Sequence, residues 1–466
     1  RELPSEQNKN LPARYANVFG SFYQAIFTAK DAIRDIQFIE SLLSTGREQV
    51  DLRSDNNKGE SVVYFYSKRF YHLTEIMPDL QNLALIVIDE NTYQLKVEAE
   101  KFYIYTYYVK SLNELETSFV SFKSKFCELL LAVLENRTEN DVLNGLLLSA
   151  GLNQQEINLF ILYRNYYWQI GAPYLPVNNS FIKNPEVILA LKDYFIAKFK
   201  PSDGLIPLTP EQLKPLEDRA LKAIEQVQTV AEDIIFKTIF NLIQASIRTN
   251  FFDMDEFSDM AVKIKSANVE RMPSPRPLYE IYVHGTHIEG IHLRGAMIAR
   301  GGLRHSDRPS DFRSEVLGLM HTQMLKNVVI VPEGSKGGFI TKRHTADRAG
   351  QVEEVKIQYK RYINSLLSLT DNIVNGQVVP ARSIVRYDGD DPYLVVAADK
   401  GTAVLSDTAN EISYKRGFWL KDAFASGGKH GYDHKGMAIT ARGAWESVKL
   451  HFLQENKDIQ TTRFSV

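Results

Sequence analysis

The sequence predicts a multidomain chain that combines α+β with α/β architecture, and three observations carry that expectation. Residues 1–111 mix one helical stripe with β-branched and aromatic runs, residues 112–249 repeat apolar positions at helical spacing, and residues 271–466 alternate short buried-strand runs with helices. With 466 residues, 44% of them hydrophobic, the chain is long enough for two or three cores.

In the first segment Ala32, Ile33, Ile36, Ile39, Leu42 and Leu43 form a helical stripe. A charged break at 51–58 precedes the strand Ser61-Val62-Val63-Tyr64-Phe65-Tyr66. A helix is expected over 72–83, a strand from 85 to 87 with a turn at Asp89-Glu90-Asn91, and an aromatic strand over 102–109. Strand, helix, strand, strand suits a small α+β sandwich of the ferredoxin-like or ACT type, a fold that assigns no ligand by itself.

In the second segment Leu115, Phe119, Phe122 and Phe126 begin a long helix, and Asn140 to Asn144 open another. Helices follow over 157–168 and 185–199, where Lys200-Pro201 is a stop, and a long helix or helix pair spans 213–247. The stripe of Tyr163, Tyr166, Tyr167 and Trp168 is expected in a core or an interface. Residues 254–277 form a polar join in which Pro273, Pro275 and Pro277 mark a boundary, so the domains are drawn at 1–111, 112–270 and 271–466.

The last segment opens with a hairpin, 279–283 and 288–293, about His284-Gly285-Thr286, and then reaches RGGLRHSDRPSDFRSEVLGLMHTQMLKNVVIVPEGSKGG at 300–338. Phe312, Val316 and Leu319 make a helical stripe whose continuation lands on Gln323 and Lys326, so an apolar face ends in an amide and an ammonium. Val328 to Val331 read as a strand buried on both faces, ended by Pro332 and Gly334, which leaves Lys336 just past a strand's carboxyl end beside Gly337 and Gly338. After a helix over 345–369, Tyr393 to Ala397 form a second buried strand, and Asp399 lies beyond its end. If both strands share one parallel sheet, Lys336 and Asp399 converge in one crevice. Thr440 is placed to cap a helix over 441–454.

Several chemistries are set aside. GSKGG lacks the spacing of a phosphate loop, Asp388 to Asp391 lack that of a calcium loop, and His430, Asp433 and His434 fit no zinc pattern, so no metal is expected. A formal charge of -2 gives no reason to expect nucleic acid or an anionic membrane as partner, and no apolar run approaches the ~20 residues of a membrane span. The single cysteine, Cys127, excludes an internal disulfide and is expected as a core thiol, so a reducing cytoplasm is the simplest location.

The motifs quoted from 300–338, with DGDDPYLVVAADKGTA, FWLKDAFASGG, GYDHKGM and ITARGAWESVK after them, resemble the large NAD-specific bacterial glutamate dehydrogenases, in their order. NDVLNGLLLSAGLNQQEINLFILYRNYYWQ resembles the helical linker of that family, and ACT-like modules precede its catalytic part. The resemblance implies an α/β substrate-binding domain, oxidative deamination of L-glutamate to 2-oxoglutarate and ammonia with NAD, and a homo-oligomer. It implies Lys336 and Asp399 as catalytic residues: Lys336 activates the water that attacks the iminium, with burial and neighbouring cations expected to favour its neutral form, and Asp399 shuttles amino-group protons. Lys326, with Gln323 beside it, would hold the α-carboxylate, and Arg300 stands where the small enzymes have a carboxylate-anchoring lysine. No G-x-G-x-x-G follows a strand, so the nicotinamide domain is expected to be missing and the 466 residues inactive alone. The competing readings are a dehydrogenase of leucine or phenylalanine and a non-catalytic regulatory or assembly piece.

Overall fold

The computed structural model describes residues 11–55, 60–111, 122–173, 175–326, 333–343, 345–402, 404–425 and 437–463. They divide into two compact units, one of residues 1–246 with 268–273 and 284–287, the other holding the rest.

In the first unit the Ala29–Thr45 helix starts at a reciprocal cap between Thr28 and Asp31 and ends at Gly46 in the left-handed region, φ 67°. Its Ile39 and Leu42 pack with Val62, Tyr64 and Tyr66 beneath an antiparallel sheet of β1 (Gln49–Asp55), β2 (Glu60–Ser67), β3 (Leu85–Val97) and β4 (Glu100–Ser111), in the order β1-β2-β4-β3. The helix expected over 72–83 is Leu73–Asn82. Asp89 to Asn91 do not make the expected turn. They run on within β3 through a bulge between Val87 and Asp89, where the Asp89 carboxylate takes the Glu90 N–H at 2.9 Å, and the chain reverses after Val97. The polar residues interrupt the ladder locally instead of ending it.

The helical part contains Lys123–Leu134, Gln154–Gln169, Pro185–Phe199, Pro210–Ile224 and Val230–Ala245. Leu115 and Phe119 of the expected long helix lie outside the described residues, whereas Phe126 is buried. Cys127 is half-buried, and burial pushes its thiol up to about 11. Tyr163, Tyr166 and Tyr167 are wholly buried, as a core stripe requires. The 213–247 segment is a helix pair, because Thr229 caps a new helix with Glu232.

The second unit is built on a seven-stranded mixed sheet in the order β13-β9-β10-β8-β7-β6-β5. Its strands are β5 (Ser246–Thr249), β6 (Met260–Lys265), β7 (Tyr279–Gly285), β8 (Ile288–Arg294), β9 (Ala299–His305), β10 (Glu333–Thr341) and β13 (Val395–Ala398), with a separate hairpin of β11 (Asn372–Val374) and β12 (Gln377–Val379). A side chain at Gly338 would strike Val316 at 2.5 Å, so the Phe312–Lys326 helix covers one face of β10. A side chain at Gly290 would strike Tyr362 at 2.6 Å, so the Arg348–Ser368 helix covers the other face.

Three expectations change here. The 254–277 join contains β6, whose buried Lys263 and exposed terminal Lys265 disguise a strand that is otherwise apolar. Lys336 lies inside β10 and not past the end of a preceding strand, while Val328 to Val331 lie outside the described residues. The sheet is mixed, since β10 is antiparallel to β8, but β10, β9 and β13 run parallel to one another, the condition under which Lys336 and Asp399 converge. The last helix, Ile439–Gln454, begins before Thr440, with Ala438 at its cap, so Thr440 lies within it.

Candidate active site

Strand register explains why Lys336 and Asp399 meet. Leu303 of β9 pairs with Ala398 on one side and Gly337 on the other, so Asp399 and Lys336 each stand one residue from that row, across a single intervening strand. Two strand spacings amount to about 10 Å, a gap that a lysine from one side and an aspartate from the other can close. The Lys336 Nζ donates to Asp399 Oδ2 at 2.6 Å. Both side chains are about four-fifths buried, at 17% and 19% exposure.

The aspartate is fixed on several sides. Its Oδ1 accepts the Lys400 N–H at 2.7 Å, its own N–H donates to Thr402 Oγ1 at 3.1 Å, and that hydroxyl donates to the Leu303 carbonyl at 2.5 Å. Burial pushes its carboxyl upward, but the hydrogen bonds from Lys336 and Lys400 and the charges of Lys336 and Arg304 outweigh it and hold the group below the usual carboxylate range. The aspartate is thus held as an ionised carboxylate against the Lys336 Nζ.

Gln323 donates from Nε2 to the Arg300 carbonyl at 2.7 Å, and its Oε1 is buried without a hydrogen-bond partner among the described residues. The Arg300 side chain is exposed, on the stretch of β9 between Gly334 of β10 and Val395 of β13. Among the described residues no hydrogen bond or ion pair joins either one to the Lys336–Asp399 pair. Lys326 is the last residue of its helix, and its side chain lies outside the described ones.

Two residues enter that the sequence did not single out. Arg304 Nη1 donates to Glu315 Oε1 at 2.6 Å, Ser306 Oγ donates to Glu315 Oε2 at 2.6 Å, and Arg304 Nη2 lies 3.6 Å from Asp399 Oδ1. The signal available was strand alternation, which puts Arg304 on the same face as Gly302, toward the Phe312–Lys326 helix that carries Glu315. Among the described residues no cluster of three or more metal-ligating side chains occurs, and His430, Asp433 and His434 lie outside them.

This pairing sits in a segment matched by the profile of the bacterial NAD-glutamate dehydrogenase catalytic domain, over residues 219–466, more than half of the chain. The chain belongs to the bacterial NAD-glutamate dehydrogenase family. Profiles of glutamate dehydrogenase helical motif 3 and helical motif 2 match residues 138–201 and 1–42. It is similar to the NAD-specific glutamate dehydrogenases of Halomonas elongata (38% identity, 99% of this chain) and Mycobacterium tuberculosis (37%, 97% of this chain). That of Pseudomonas aeruginosa is 36% identical over 100% of this chain. The chain spans 29% of the length of each of these glutamate dehydrogenases.

Proposed function

We propose that this chain carries the acid–base centre of an NAD-dependent glutamate dehydrogenase, which deaminates L-glutamate to 2-oxoglutarate and ammonia and runs in reverse. The observation that carries the reading is the buried contact between Lys336 and Asp399. Oxidation of an amino acid requires its ammonium to lose a proton, and the ionised Asp399 is a fixed acceptor. Water must then attack the iminium carbon, and Lys336, brought to the same point from β10, takes that water's proton once it has released its own to solvent. Glutamate carries two carboxylates that must shed water on entering, so cations must meet them, and Arg300 and Lys326 supply these, with Gln323 beside Lys326. No G-x-G-x-x-G follows a strand, so no residue of this chain is assigned to nicotinamide, and hydride acceptance is assigned to none of its side chains.

The four-stranded sheet with its packed helix supports an ACT-like module within residues 1–111, serving assembly or regulation, followed by a helical domain that ends near Ala245 rather than at 270, since β5 and β6 belong to the sheet of the substrate domain that continues to 466. A homo-oligomer in the cytoplasm completes the reading; among the described residues no helix is long and apolar enough to cross a membrane.

In the full-length enzyme Lys336→Ala should reduce kcat by about 10²–10⁴-fold with little change in substrate affinity, because a general base acts in the transition state. Lys326→Ala should chiefly raise KM, since carboxylate binding is shared by ground and transition states. Steady-state kinetics with glutamate, leucine and phenylalanine decide: near-normal kcat in Lys336→Ala removes the lysine from the chemistry, and a preference for leucine or phenylalanine replaces the substrate.

A further inference from the structure

Arg304 has a geometry that a surface cation lacks. One arm is committed to Glu315 at 2.6 Å, its Nε is buried without a hydrogen-bond partner among the described residues, and its other arm stops 3.6 Å short of Asp399 Oδ1, beyond hydrogen-bond distance. Glu315 is in turn anchored by the Ser306 hydroxyl at 2.6 Å, and the Ser306 N–H is tied to the Phe339 carbonyl of β10 at 2.8 Å. The guanidinium is therefore held by the helix and the sheet together, close to the carboxylate but not bonded to it. The charged and polar groups facing Asp399 are Lys336 from β10, Arg304 from β9, the Lys400 N–H beyond β13, and Glu315 one step behind from the helix.

We propose that Arg304 is a positioning residue for Asp399. When a bound substrate draws the Lys336 side chain away, the second arm of Arg304 moves onto the vacated carboxylate and keeps it ionised, while Glu315 limits how strongly it does so. This rests on the deamination reading above for the identity of the substrate, but the electrostatic arrangement is a property of the ligand-free site. An opposite charge within ~4–6 Å changes a carboxylate's proton affinity by one to three pH units, so the two partners of Arg304 act against each other. Removing the guanidinium exposes Asp399 to protonation, and removing Glu315 leaves the guanidinium free to protect it.

The experiment is the pH profile of kcat/KM for the full-length enzyme and three variants, combined with titration of the ¹³C-labelled Asp399 carboxyl in ligand-free protein, assigned through Asp399→Asn. Arg304→Gln should move the acidic limb and the carboxyl titration upward, by up to about one pH unit. Arg304→Lys should stay near wild type, because the charge survives, and Glu315→Gln should move both downward. A uniform loss of rate with an unmoved limb, a lysine variant that behaves like the glutamine one, or a Glu315→Gln displacement in the same direction as Arg304→Gln would each reduce Arg304 to a structural role. If wild-type enzyme turns over no glutamate, the deamination reading fails by itself. The carboxyl titration then still decides whether Arg304 governs Asp399.

Discussion

His292 illustrates what one buried titratable residue contributes. It is enclosed within β8, with Nε2 3.2 Å from Ser335 Oγ and Nδ1 without a partner among the described residues. Burial, reinforced by the charge of Arg294 and opposed by Asp391, pushes the imidazole down to about 3. The folded state thus holds a neutral ring that the unfolded chain protonates near its ordinary value of 6.5. The associated stability is complete above that value and is lost as pH falls toward 3, with a slope of at most about 1.4 kcal/mol per pH unit. His292→Leu should flatten the fall of the urea midpoint between pH 6.5 and pH 4, values about the ordinary histidine range. An equally steep fall in the variant would locate the acid sensitivity elsewhere. At this scale the meeting of Lys336 with Asp399 was legible because both stand beside small residues and Asp399 follows a strand, although Lys336 proves to lie inside β10. Arg304 and Glu315 were not, because their partners come from another strand and from a helix, and only register brings them together.

The element that governs the site is β10, and its glycines explain both what the sequence showed and what it concealed. Glycine is a poor strand former, so GSKGG reads as a loop, yet here it is strand. The reason is close approach: a side chain at Gly301 would lie 1.5 Å from the Ser335 carbonyl oxygen, and one at Gly338 would lie 2.5 Å from a Val316 methyl. These two contacts differ in what can yield. Gly338→Ala presses on a side chain and should cost about 1–3 kcal/mol, with the Phe312–Lys326 helix lifted and, on the proposed deamination reading, KM of the full-length enzyme raised. Gly301→Ala presses on backbone, so β9 and β10 must separate, and the loss should be larger and extend to kcat. Thermal unfolding and steady-state kinetics of the two variants check the order, and a Gly301→Ala protein as stable as Gly338→Ala would mean that the strands part easily. The β7–β8 hairpin and the Arg348–Ser368 helix were legible from period and turn, because the tight glycine of β8, Gly290, stands singly among Ile288, Ile291 and Leu293.

At the scale of the whole second unit, a buried network of ions links strands to the segment that leads into β13. Arg248 of β5 is wholly buried and donates to Asp371 at 2.9 and 3.1 Å, to Asp388 at 2.6 Å and to the Gly389 and Leu369 carbonyls at 2.7 and 3.0 Å. Lys263 of β6 contacts Asp388 and Asp391, and Arg294 of β8 contacts Asp391 and donates to the Tyr393 carbonyl at 2.9 Å. The sequence hid this network because Lys263 and Asp388 stand 125 residues apart, and each reads locally as solvated charge. Arg248→Met leaves Asp371 and Asp388 with fewer counter-charges in a dry interior and should cost about 3–5 kcal/mol, far more than a surface ion pair. Salt should not rescue it, since buried charges are little screened. Asp371→Leu alone should be comparably costly, because it leaves Asp388 as the remaining carboxylate partner of Arg248 among the described residues and takes a partner from Arg386 as well. The double variant removes both unpaired partners at once, so its loss should be smaller than the sum of the two by at least about 1 kcal/mol. Urea unfolding of the four proteins of this cycle measures the difference. Strict additivity would mean that Arg248 and Asp371 are each satisfied by the rest of the network, and that the pair between them holds nothing together.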